Sequence, residues 1–93
     1  MFPRILKRIK EKIRSRQYVM TVHAEEEMDD DELTVYDIEC GILTGEIVER
    51  QKDRESGEWK YLIKGKTLND IDVELATKLS ITGKLVVITI FLE

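Results

Sequence analysis

The sequence predicts an α+β domain in which N-terminal helices pack on a four-stranded antiparallel β-meander. Two observations carry that expectation. Apolar residues recur every three or four positions up to about residue 45, and every second position beyond it. The alternating runs are separated by short turn-forming stretches, "DRESG", "LND" and "SITGK". The chain has 93 residues, room for one modest core near the lower end of what folds alone.

The first helix is read over about residues 3–16. Pro3 suits a first helical turn, where its missing N–H costs nothing. Ile5, Leu6, Ile9 and Ile13 then form a stripe, with Phe2 extending it and Lys and Arg filling the other positions. "QYVMTV" follows as an extended or tight connector. A short second helix covers about His23 to Asp30, with Ala24 and Met28 on one side and His23 and Glu27 stacked at i,i+4. "DELTVYDIECGILTG" gives the third. Thr34 can cap it with Asp37 as a shortened capping-box acid, and Gly45 stands where a C-terminal cap residue would.

"EIVERQK", "EWKYLIKG" and "IDVELATKL" read as strands, the last with Ile71, Val73, Leu75, Thr77 and Leu79 on one face. "LVVITIFL" is apolar at both parities except for Thr89, which places it in the centre of the sheet with cover on both sides. One sheet face takes the helices, so a partner subunit is expected to cover the other.

Charge is unevenly distributed. Residues 1–17 carry seven Lys/Arg and one acid, while residues 18–93 carry eight Lys/Arg and eighteen acids. Residues 1–17 are therefore read as a basic amphipathic helix of the same domain, and residues 18–93 as its α+β body. An acidic body repels phosphate backbones and disfavours indiscriminate RNA binding, leaving the basic helix as the exception. That helix can pack on the sheet, lie on an anionic membrane surface or offer its cations to RNA. One cysteine, Cys40, excludes an internal disulfide and points to a reducing compartment, with the cytoplasm the expected location. No run reaches membrane-span length, and no membrane partner is expected.

The stretch "HAEEEMDDDELT" sets the only histidine, His23, ahead of seven carboxylates in the eight positions from Glu25 to Glu32. His23 could transfer protons with Glu27 orienting it, or could be a helix-start side chain with local bonds only. The acids read as a solvated face screened by the basic helix, or as a docking surface for a basic partner. One histidine without a cysteine pair is a poor metal set, and no glycine-rich phosphate loop or dinucleotide fingerprint is present, so no cofactor is expected. Thr89 either satisfies its hydroxyl locally or projects it toward His23 to hold a substrate oxygen. Tyr61, Lys64 and Lys78 are the sheet residues able to reach a phosphate.

Together, "VHAEEEM", "LTVYDIECGILTGEIVE", "YLIKG" and "VVITIFL" resemble the bacterial domain-of-unknown-function family 4258. The matching positions are His23, Ala24, Met28, Leu33, Ile38, Gly45, Glu46, Gly65 and Thr89, within residues 18–92. The resemblance implies a fold similar to RelE and barnase-like small ribonuclease toxins. It makes His23 and Thr89 the matched catalytic candidates, with Tyr61 and Lys64 as neighbours. Many members of the family carry arginine at the positions of Glu27 and Asp31, and these acids reverse the local field that a phosphate transition state needs. The expectation is accordingly an interaction or regulatory module, self-associating or binding a protein through its sheet face or N-terminal helix. A metal-independent, RelE-like endoribonuclease using His23 is the alternative.

Overall fold

The computed structural model describes residues 2–93. In chain order it forms α1 (Pro3–Arg14), β1 (Tyr18–Met20), α2 (Val22–Asp30), α3 (Val35–Leu43), β2 (Glu46–Lys52), β3 (Trp59–Lys66), β4 (Asp72–Leu79) and β5 (Leu85–Leu92). The strands make one sheet in the order β1-β5-β4-β3-β2. From β2 to β5 it is the expected antiparallel meander. The expectation of four strands is corrected by β1, which joins the far side of β5 in parallel, Tyr18 opposite Leu85 and Met20 opposite Val87. The class is α+β with a mixed five-stranded sheet. A long crossover permits the parallel pairing.

Helices α1 and α3 cover one face of this sheet. Ile9 and Ile13 of α1 and Ile38 and Ile42 of α3 are buried with Ile63, Val73, Leu75, Leu85, Val87 and Ile90. Burying each such side chain contributes about 1.5–3 kcal/mol, so the apolar stripe of α1 is committed to the core. Membrane insertion of that stripe would require it to leave the core. No helix among the described residues is long and apolar enough to cross a membrane.

Helix α3 lies unusually close to β3, and glycine permits it. A Cβ on Gly65 would stand 1.9 Å from the carbonyl oxygen of Gly41, and one on Gly45 would stand 2.6 Å from that same oxygen. Gly45 follows the C-cap residue Thr44, at the helix end where a cap glycine was read, but it is required there by close packing rather than by positive φ. At the other end of α3 the capping box forms as read: the Asp37 carboxylate accepts the Thr34 amide, and the Thr34 hydroxyl accepts the Asp37 amide. The second oxygen of Asp37 accepts the Leu68 amide at 3.1 Å, tying α3 to the turn between β3 and β4. These bonds, the Thr34 amide first, hold the buried Asp37 carboxyl below the usual range.

The apolar character of β5 at both parities has a cause other than full coverage. A bulge sets Ala76 opposite Thr89 and Thr77 opposite Val87, leaving Ile88 unpaired. Leu85, Val87 and Ile90 therefore point to the helices, while Val86 and Thr89 point away. β5 is interior, between β1 and β4, though not at the middle of the sheet. Its outer face is open in the single chain, with Val19 44% and Phe91 48% exposed. Ile71, read as an inward residue of its strand, falls before β4 and is exposed.

Candidate functional site

Helix α2 is held against the edge of β5 beyond the point where β1 ends. Thr21 caps α2 by accepting the Ala24 amide, and its hydroxyl donates to the Ile88 carbonyl at 2.9 Å. One turn on, the Glu27 carboxylate accepts the Ile90 amide at 3.0 Å. An unpaired strand edge is a template for misassociation, and these two side chains occupy the ladder positions that β1 leaves vacant. The same oxygen of Glu27 lies 3.3 Å from Nε2 of His23, whose side chain is 66% exposed.

The four residues singled out by sequence fall in three places. His23 and Thr89 are brought to the same edge, because Glu27 contacts His23 and the residue after Thr89. Thr89 faces away from the helices opposite Ala76, and its hydroxyl has no partner within the described residues. The buried threonine of the sheet is Thr77, which donates to the Tyr61 carbonyl at 3.0 Å. Lys64 shares the open face but lies toward the distal end, bonded to Glu93 at 2.9 Å, and that partner holds its ammonium above the usual range. Tyr61 points to the helix side, 6% exposed, with its ring edge-on to Phe2 at 5.9 Å. No single pocket gathers all four.

The charge of the open face is decided by pairing. Each of its four lysines has a carboxylate beside it: Lys60 with Asp53 at 3.7 Å, Lys64 with Glu93, Lys66 with Asp72 at 2.6 Å and Lys78 with Glu58 at 3.5 Å. Exposed pairs of this kind add little stability, but they cancel the cations a phosphate would need. Burial first, and then Glu93, raise the carboxyl of Glu74 on the same face. Between the charges lies a shallow cavity of about 440 Å³ floored by Val86 and Ile88 and bordered by Lys60 and Lys78. Ile81, on the hairpin turn at its rim, is fully exposed.

The expected screening of the acidic block by the basic helix does not occur through contact. Among the described residues no Lys or Arg of α1 forms an ion pair, and His23 is the partner of the only paired acid of α2. The two charge clusters belong to different parts of the molecule because α1 packs on the sheet face and α2 on its edge. No three His, Cys, Asp or Glu side chains among the described residues come together as a metal set. Cys40 is half-buried on α3.

A family model described as Domain of unknown function (DUF4258) matches residues 20–92. The chain belongs to this family. Among curated proteins and solved structures nothing matches the chain. The DUF4258 region begins within β1 and takes in the edge contacts of α2, the glycine-mediated packing of α3 on β3 and the bulge of β5. Helix α1 lies before the matched DUF4258 region, yet supplies Ile9 and Ile13 to its core.

Glu27 was read from the sequence as an orienter of His23 and as an acid in place of a family arginine, but its bond to Ile90 was missed. A carboxylate on the sheet-facing side of a short helix was the available signal, but locating its acceptor role required β5, 63 residues away. Arg50 and Trp59 were also missed. They face each other across β2 and β3, the Arg50 guanidinium 3.9 Å from the indole centroid. "ER" and "EW" carry no mark of that meeting.

Proposed function

We propose that this domain is a protein-interaction module whose open sheet face takes a second copy of the chain. The observation that carries the proposal is the makeup of that face: every lysine on it is neutralised by a neighbouring carboxylate, and half-exposed apolar side chains lie between the pairs. A phosphate-cleaving surface needs uncompensated cations; a self-associating one needs apolar area and both signs of charge. A two-fold axis through this face would set the lysine row of β3 (Lys60, Lys64, Lys66) against the acids of β2 and β4 in the other copy. Val19, Val86, Ile88 and Phe91 would then form the dry centre.

Metal-independent RNA cleavage through His23 is the competing reading, and Thr89 at the same edge is what favours it. Against it, the carboxylate beside His23 is engaged with the backbone of β5, and the lysines of β3 and β4 on the open face are paired. Sedimentation velocity decides for or against the dimer. The wild-type chain is expected to sediment as a dimer at tens of micromolar, and Phe91→Glu, at a 48%-exposed position, as a folded monomer. A wild-type monomer at that concentration sinks the proposal. RNA cleavage that disappears in a folded His23→Ala variant would install the enzyme in its place.

A further inference from the structure

We infer that the helix-side surface formed by α1 and the paired ends of β2 and β3 binds single-stranded nucleic acid. The first observation is electrostatic. Arg4, Lys7 and Arg8 occupy the opening turns of α1, where the macrodipole disfavours cations, and no acid stands in the first turn to offset them. All three are exposed, and among the described residues none forms an ion pair. The fold gains nothing from charges placed there.

The second observation is aromatic and independent of the first. Trp59, 39% exposed, borders a shallow cavity of about 280 Å³ that Arg8 also lines. Arg50 sits between the two rings of Trp59 and Phe2, 3.9 and 4.7 Å from their centroids, and Lys52 lies 5.7 Å from the indole. Arg50 and Lys52 are likewise without carboxylate partners among the described residues. One acid, Glu58, borders the cavity, and it is held by Lys78.

A line of unpaired cations leading to an exposed indole is what an unpaired strand requires: phosphates follow the cations and a base stacks on the ring. An anionic bilayer would use the cations alone, and the apolar stripe that would insert is buried with the core. An acidic peptide would leave the indole without a role. The surface lies on the helix side of the sheet and the face proposed for self-association on the other side, the two cavities meeting at Glu58 and Ser80. The acids of α2 and of the open face are directed elsewhere, which is how a chain of net charge −4 presents a cationic strip.

Trp59 is the only tryptophan, so its fluorescence reports this site directly. The full chain is titrated at low salt with oligo(U), oligo(dT), a duplex of matched length and phosphatidylserine vesicles, with anisotropy of labelled oligonucleotide as a second readout. The expected result is quenching by the single strands, weakening with salt along a logarithmic slope of about −2 to −3 for three or four phosphate contacts. Trp59→Leu is expected to weaken binding measured by anisotropy about tenfold through lost stacking. Arg8→Glu and Lys52→Glu should each weaken it by at least that much, with unchanged circular dichroism. Comparison of oligo(U) with oligo(dT) assigns RNA or DNA. Binding to vesicles or duplex alone, affinity indifferent to Arg8→Glu and Lys52→Glu, or no binding to either single strand would each overturn the inference.

Discussion

Glu27 is expected to matter for stability while His23, its neighbour, is not. The carboxylate of Glu27 accepts the Ile90 amide at 3.0 Å, and its side chain is only 23% exposed. Replacement by alanine removes a bond to a charged acceptor and strands a backbone donor at the uncovered edge of β5. Such bonds are worth about 1.5–3 kcal/mol, and an orphaned donor is the costlier half of the change. For a domain of this size that corresponds to a fall in melting temperature of roughly 6–24 °C. Glu27→Gln keeps an accepting oxygen in place and should lose less than about half as much, since only the charge assistance goes. His23→Ala, at a 66%-exposed position, should stay within about 0.5 kcal/mol of wild type. Urea unfolding followed by circular dichroism gives the three values, and hydrogen exchange at the Ile90 amide locates the effect. A Glu27→Ala variant that melts with wild type and keeps Ile90 protected would refute a structural role for the Glu27–Ile90 bond. A His23→Ala variant as damaging as Glu27→Ala would refute it equally, because His23 would then share the structural role.

Gly65→Ala should be the most disruptive single-methyl change in the molecule. The new carbon would lie 1.9 Å from a backbone oxygen of α3, which no side-chain rotation can relieve, so a loss of at least about 3 kcal/mol is expected by chemical denaturation. Gly57→Ala, where nothing lies within 4 Å but φ is +74°, should cost about 1 kcal/mol, a backbone strain with no packing clash. Asp37 is the buried contributor to the acid limb of stability. Its folded carboxyl is held below the ordinary value, so its contribution is complete above about pH 4 and is lost as pH falls through the lowered value. Asp37→Asn should lower stability at pH 7 and flatten the pH dependence below 4 in otherwise identical melts.

The elements that were legible in the sequence are those whose signals are local. Thr34 and Asp37 stand three apart, and the cap they form needs nothing beyond the helix they start. The alternation of Trp59, Tyr61 and Ile63 against Lys60 and Lys64 is a property of one strand and survives in the sheet. What was hidden depends on remote partners. Three residues, Tyr18–Met20, are too few to display a period, so β1 exists only because β5 offers it an edge. A bulge moves the parity of β5 in mid-strand, and the sequence shows only a run apolar throughout. Gly45 and Gly65 were noticed as boundary markers, whereas their use is to let two backbones meet. For the candidate site, the same division separates His23 and Thr89, named from order along the chain, from the partners that decide their surroundings. Tyr61 was assigned to the company of Lys64, though residues three apart on a strand face opposite ways.

The seat of β1 and α2 has a temporal side. Both rest on β5, and Tyr18 meets Leu85 across 66 intervening residues. While the polypeptide is being made, β1 and the acidic helix α2 emerge early, but the strand they dock on is absent until β5 is supplied. Loops of that span close slowly, because the entropy is lost before any pairing rewards it. For that interval the apolar side of α2, Ala24 and Met28, has no strand edge to rest on, and the carboxylates of its other side keep it in water.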